Sequence, residues 1–162
     1  KHIFGQWACL KTWVMLQELT DCPCEEIYYG PHGKPYLKKG PYFSISHCKT
    51  AVAVAVDDEY EIGIDIESIR HANQALIERT MNKAEQALIA QSEKPDYVFT
   101  DLWTQKEAVL KARGTGIVDD LDCVLDALQT DAQLVQPTIP FAIVSIVKMM
   151  KATNNGNPHN GC

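Results

Sequence analysis

The chain contains no apolar run near the ~20 residues that a membrane-crossing helix requires. Its start lacks the charged region, apolar stretch and small-residue cleavage site of a secretory leader. Positive charge is not in excess, since 15 Lys and Arg face 21 Asp and Glu for a net charge of −6. A net acidic chain is a poor non-specific ligand for nucleic acid, so neither a nucleic-acid nor a membrane partner is expected, and the expected compartment is the cytoplasm. A C-x-x-C pair is also missing: the six cysteines, at positions 9, 22, 24, 48, 123 and 162, form no regular framework. Cys22-Pro23-Cys24 with His32 and His47 is poorly spaced for zinc, and reduced thiols are the expectation.

What is present is an ordinary globular composition, 46% hydrophobic over 162 residues, enough for one domain or two small intimate halves. Apolar spacing predicts an amphipathic helix over about 4–20, broken at Asp21-Cys22-Pro23-Cys24, with Trp7, Trp13 and Met15 in the core. Strands follow near 26–29, 42–46, 51–57 and 61–66, then a loop at 68–73, helices near 74–80, 83–91 and 97–113, and strands near 121–128 and 140–148. Helix then strands, twice over, is an α+β arrangement with a weak internal repeat. We divide it as an N-terminal subdomain 1–67, a C-terminal subdomain 68–148 and a flexible, polar tail 149–162.

Chemistry enters with the helix Trp103-Thr-Gln-Lys106-Glu107-Ala-Val-Leu-Lys111. At about 100° per residue Phe99, Leu102, Trp103, Val109 and Leu110 share a face, and Lys106 falls among them, where it needs a partner or a ligand. Glu107 and Lys111, one turn apart, sit at the edge of that face. Taken alone this is also what an ordinary surface pair looks like. In the strand Glu61-Ile-Gly-Ile-Asp65-Ile-Glu67, Asp65 and Glu67 alternate with isoleucines, so both carboxylates lie on one face, roughly 7 Å apart. Their repulsion is what a divalent cation such as Mg²⁺ relieves; a solvated edge strand is the alternative. A third stretch, Phe43-Ser-Ile-Ser46-His47, follows the turn Gly33-Lys34-Pro35 and precedes Ala51–Val56, a run that suits a strand buried on both faces. Lysine, hydroxyl and imidazole close in sequence suit phosphate binding.

In that order, Gly33-Lys34-Pro35, Phe43-Ser-Ile-Ser46-His47-Cys48, Gly63-Ile-Asp65-Ile-Glu67 and Trp103-x-x-Lys106-Glu107-Ala-x-x-Lys111 resemble the 4′-phosphopantetheinyl transferase superfamily, in particular its surfactin-synthetase type. The likeness runs from about residue 30 to Gly114-Thr-Gly116, with Cys48 where the family usually has Ser. It implies a pseudo-dimer of two similar subdomains, monomeric in itself, with coenzyme A in the cleft between them. It further implies a holo-carrier-protein synthase, in which a serine of an acyl or peptidyl carrier protein takes the phosphopantetheine arm of coenzyme A and adenosine 3′,5′-bisphosphate leaves. Mg²⁺ would be the cofactor, held by Asp65, Glu67 and Glu107, with Glu107 also a candidate base and Lys111 the cation for the breaking bond. By the same resemblance Lys34, Ser46 and His47 would hold the 3′-phosphate, and Lys106 either contacts phosphate or forms a structural ion pair. Of the basic residues that relatives carry around the first helix, only Lys1, His2 and Lys11 are present, so either Lys34 carries more of the affinity or starting residues are missing.

Charge is uneven, +2 over residues 1–50 and −8 over 51–162. Lys38, Lys39, Lys49 and Arg70 are therefore the candidates for docking an acidic carrier. Two other readings remain: a coenzyme A or carrier-protein binder without turnover, and a metal-dependent nuclease or phosphodiesterase, which explains Asp65, Glu67, Glu107 and Lys111 but not Lys34, Ser46 and His47.

Overall fold

The computed structural model describes residues 3–21, 26–116 and 121–150. Lys1, His2, Cys22, Cys24 and residues 151–162 lie outside them; Met149, assigned above to the tail, is the last residue of a strand. Helix α1 (Ile3–Thr20) is followed by β1 (Ile27–Tyr29), β2 (Pro35–Leu37), β3 (Tyr42–His47), β4 (Val52–Asp57) and β5 (Ile62–Glu67). Then come α2 (Gln74–Thr80), α3 (Lys83–Gln91), α4 (Pro95–Arg113), the short α5 (Ala127–Thr130), β6 (Ala132–Val135) and β7 (Ile143–Met149).

Two layers repeat. In the first half α1 packs Leu16 against Phe43 of the antiparallel hairpin β3–β4, and in the second α4 covers an antiparallel sheet of order β5-β7-β6. The boundary drawn after Glu67 needs correction. β5 is laddered to β7, Asp65 opposite Ser145 and Glu67 opposite Ile143, so by hydrogen bonding it belongs to the second half, and the division falls in the turn before it.

β5 meets the first half without a backbone ladder. The amides of Ile64 and Ile66 donate to the hydroxyls of Ser44 and Ser46 on β3, at 3.1 and 3.4 Å. Alternate serines on one strand thus serve alternate amides on the other, and buried donors that would otherwise be orphaned are satisfied by side chains.

Helix α4 starts with Pro95 at its first turn and Asp96 beside it, and ends with Lys111, Arg113 and a left-handed Gly114 cap, charges and cap all suited to the helix dipole. It rests directly on β5 at Gly63. A Cβ there would stand 2.0 Å from the Ala108 carbonyl oxygen and 2.4 Å from the Ala112 amide nitrogen, so only glycine lets helix and strand approach this closely.

Three expectations fail. The predicted strand at 121–128 is a 3-10 turn over Val124–Asp126 leading into α5, because Leu121, Val124, Leu125 and Leu128 recur at helical spacing and pack under α4. Trp7 is 51% exposed rather than in the core, although Trp13 does pack edge-on against Phe43. β4, expected to be buried on both faces, has one sheet neighbour and is mostly half-buried.

Candidate active site

The close approach at Gly63 sets the site's geometry. Period-two alternation turns Gly63, Asp65 and Glu67 toward α4, while Ile62, Ile64 and Ile66 go into the core on the opposite face. On α4 the facing stripe is Phe99, Trp103, Glu107 and Lys111, four residues apart at each step. Asp65, Glu67, Trp103, Glu107 and Lys111 consequently line one cavity of about 620 Å³, with Ser46 and His47 from β3 on its wall.

Asp65, 5% exposed, lies at the centre. Its Oδ1 accepts from Lys111 Nζ at 2.6 Å and from Ser46 Oγ at 2.8 Å, and Lys111 also donates to Ser46 Oγ at 2.9 Å. The Oδ2 is buried with no hydrogen-bond partner. A buried carboxylate oxygen is costly unless an electropositive group meets it, and Oδ2 is oriented to receive one. Burial, and then the charge of Asp65, push the carboxyls of Glu67 and Glu107 above the usual glutamate range; Lys111 and Arg70 offset this only in part.

This donor set suits a hard divalent cation. Among the described residues no three of His, Cys, Asp and Glu converge closely enough to cage a metal by themselves. Mg²⁺ does not need such a cage, since it is commonly held by one or two carboxylates and completed by water and substrate phosphate. Asp65 Oδ2 and the two glutamates fit that pattern.

The remaining predicted residues separate. Lys34 Nζ donates to Glu61 Oε2 at 2.6 Å and to the Ala112 carbonyl at 2.9 Å, a staple between the Gly33 turn, the start of β5 and the end of α4. Gly114 sits beside it, and a Cβ there would come within 2.7 Å of the Tyr36 hydroxyl. As placed, Lys34 is a structural clamp rather than an open phosphate ligand. The Ser46 hydroxyl serves Asp65, Lys111 and the Ile66 amide, so it orients the acid instead of facing a ligand. Of the three residues expected at the 3′-phosphate, His47 alone is exposed on the cavity wall.

Lys106 requires a correction. It is 1% exposed, and its ammonium donates to Glu85 Oε2 at 2.7 Å, the Leu121 carbonyl at 2.8 Å and the Thr80 carbonyl at 2.9 Å. All three donors are used inside the protein, on the far side of α4 from the cavity, so Lys106 is not a coenzyme ligand. Its partner Glu85 also closes the capping box of α3 with Asn82.

Arg70, grouped above with Lys38 and Lys39, parts from them. It lines the acidic cavity, whereas those lysines border a separate cavity with Tyr28 and Glu61. Sequence reasoning missed this, although Trp103, one turn before Glu107, was a signal that an aromatic surface adjoins the acids.

The family model for the 4'-phosphopantetheinyl transferase superfamily (ACPS) matches residues 61–144, just over half of the chain. The chain belongs to this superfamily. Among its curated members, 4'-phosphopantetheinyl transferase psf-1 of Bacillus pumilus is 35% identical over 125 residues, 74% of this chain and 53% of that protein. AcpT of Salmonella typhimurium, also named a 4'-phosphopantetheinyl transferase, is 31% identical over 130 residues, 75% of this chain and 67% of that protein. Sfp of Bacillus subtilis is 35% identical over 108 residues, 64% of this chain and 47% of that protein. The chain thus spans about half to two thirds of the length of these superfamily members. The solved structure of Thermotoga maritima holo-[acyl-carrier-protein] synthase aligns at 17% identity over 57% of this chain and 64% of that one, with a TM-score of 0.42, too distant a likeness to argue from.

Proposed function

We propose that this chain carries the active site of a 4'-phosphopantetheinyl transferase, moving the phosphopantetheine arm of coenzyme A onto a serine of an acyl or peptidyl carrier protein. The observation that carries this reading is the convergence of Asp65, Glu67, Glu107 and Lys111 in one cleft, with Asp65 Oδ2 buried and unpartnered.

Asp65, Glu67 and Glu107 would hold Mg²⁺, which when bound neutralises and orients the diphosphate of coenzyme A. Glu107, whose carboxyl is raised toward neutrality by burial and Asp65, takes the proton of the attacking serine hydroxyl. The serine oxygen bonds to the phosphorus that bears the pantetheine, and the bond from that phosphorus to the bridging oxygen breaks. The bridging oxygen leaves on adenosine 3′,5′-bisphosphate, and its charge is met by Lys111. Ser46 keeps Asp65 and Lys111 in register through its hydroxyl, and His47 at the rim takes the 3′-phosphate. The same proposal makes the protein a cytoplasmic monomer, its two halves standing in for two subunits. The thiols of Cys9 and Cys48 suit a reducing compartment, and among the described residues no helix is long and apolar enough to cross a membrane.

The test incubates the protein with Mg²⁺, coenzyme A and a panel of apo-carrier proteins and weighs the carriers by mass spectrometry. A carrier that gains the phosphopantetheine arm is the expected result. Tight coenzyme A binding with no gain on any carrier would leave a binding-only relative, and cleavage of a phosphodiester without transfer would leave a hydrolase.

A further inference from the structure

An exposed aromatic ring stands just outside the acid cavity. Pro140 and Phe141 form a two-residue turn closed by the bridge between Ile139 and Ala142, and Phe141 takes a φ of 66°. After a proline, that left-handed position favours glycine or asparagine, and a bulky side chain there is a rarity. The fold gives the ring little in return, since Phe141 is 88% exposed. A turn that holds an aromatic ring in water, in an unfavourable backbone region, points to a partner for the ring.

Phe141 borders a groove of about 280 Å³ with Ile69, Tyr97 and Ile139, and Ile69 and Tyr97 are themselves about half exposed. The groove adjoins the acids. Glu67 lies opposite Ile143 at the end of the β5–β7 ladder, so two residues beyond Glu67 and two before Ile143 bring Ile69 and Phe141 to the same groove. Ile69 is therefore at most about 7 Å of chain from Glu67. The next residue, Arg70, turns into the acid cavity instead and lies over the rings of Trp103 and Phe99, at 5.4 and 5.8 Å from their centroids. Its amide donates to Thr100 Oγ1 at 3.2 Å, which fixes this segment to α4. Around the groove, Asp101 is held by the side-chain amides of Gln136 and Gln105, at 2.6 and 3.0 Å, and Asp96 by His71 at 3.0 Å. The Arg70 guanidinium makes no salt bridge among the described residues, so the open charge between groove and acids is positive.

These features suit the protein that delivers the serine. A serine reaching Glu107 from a folded carrier brings the surface around it against the rim of the cleft. There the groove offers apolar area with a cation beside it, complementary to an apolar side chain flanked by carboxylates. We propose that the groove of Phe141, Ile69 and Tyr97 is where an acidic acyl or peptidyl carrier protein docks, with the Phe141 ring as its anchor. This rests on the transferase reading.

The test takes an apo-carrier that wild type modifies and measures transfer at saturating coenzyme A for wild type, Phe141→Asn and Phe141→Asp, with calorimetry for coenzyme A and thermal unfolding alongside. Both replacements suit a left-handed turn position, and they differ from each other in charge. The expected result is a carrier KM raised about 5- to 30-fold in Phe141→Asn, as for loss of an aromatic anchor, and raised further in Phe141→Asp at low salt. Tm should not fall, and the coenzyme A Kd should not change. An unchanged carrier KM in Phe141→Asn would overturn the proposal. So would a coenzyme A Kd weakened as much as the KM, which would give the groove to the arm of coenzyme A, or a wild-type dimer that either substitution splits, which would give it to a second copy of the chain. Equal KM values in the two variants would overturn the acidic character assigned to the docked surface. Wild type that binds coenzyme A but modifies no carrier would instead remove the transferase reading, and this inference with it.

Discussion

Helix α4 carries two lysines five residues apart, each in a short ion pair, and the two pairs have little else in common. Lys106 meets Glu85 at 2.7 Å with both side chains buried and every ammonium donor taken by the protein. Lys111 meets Asp65 at 2.6 Å, but it is about one third exposed, and the acid beside it keeps an unserved oxygen. A pair that is complete holds the fold together. A pair that is incomplete, with two further carboxylates lining the same cavity, has the makings of a binding site.

Breaking the complete pair should have the largest effect. Lys106→Met strands Glu85 and two carbonyls in the core and is expected to cost about 3–5 kcal/mol, read as a fall in Tm of about 10 °C or more by calorimetry. Coenzyme A affinity of the protein that remains folded should not change; a weaker Kd would return Lys106 to the site. Adding Glu85→Leu should recover only part of the loss, because Glu85 also caps α3.

Lys111→Met is the matching break on the other face. Without the Lys111 ammonium to meet the departing charge, kcat should fall about 10²–10³-fold, more than KM rises. Mg²⁺ should raise Tm more in this variant than in wild type, since the metal replaces a lost counter-charge at Asp65, and should do nothing comparable for Lys106→Met. An unchanged kcat would end the catalytic role given to Lys111.

Ser44→Ala tests the joint that brings β3 to the acids. It leaves the buried Ile64 amide without an acceptor, for an expected loss of about 1–3 kcal/mol in denaturant unfolding. No loss would mean that the hydroxyl contributes nothing to the joint.

The smallest effect has the opposite sign. Because burial and Asp65 raise the Glu107 carboxyl, the folded protein keeps its proton to higher pH than the unfolded chain does. Ionising Glu107 therefore costs stability, fully above its raised pKa and not at all below the ordinary glutamate range. Glu107→Gln should abolish turnover yet raise Tm at pH 8, and the gain should shrink as pH falls through that window. A gain independent of pH would show that the repulsion is not its source.

The residues of the cleft were legible because β5 and α4 carry their chemistry in their own periodicities: alternation put Asp65 with Glu67, and steps of four put Trp103, Glu107 and Lys111 on one stripe. What stayed hidden depends on distant partners. Glu61, 27 residues from Lys34, turns an apparent phosphate ligand into a staple, and Glu85, 21 residues before Lys106, does the same for a lysine whose apolar neighbours left both roles open. Arg70 reads as a surface charge until Phe99 and Trp103 fold beneath it. The helical spacing of Leu121, Val124, Leu125 and Leu128 was visible in the sequence, and these residues pack under α4.

The serine joint between β3 and β5 also implies that the two halves need not be equally fast to part. A ladder strand gives up several amide bonds together, but Ile64 and Ile66 are held across the joint by single hydroxyls, each of which rotates about its own bond. Deuterium uptake at these two amides should outpace uptake within the β5–β7 ladder and slow when ligand spans the cleft, so that two backbone protons serve as a clock for how often the site opens.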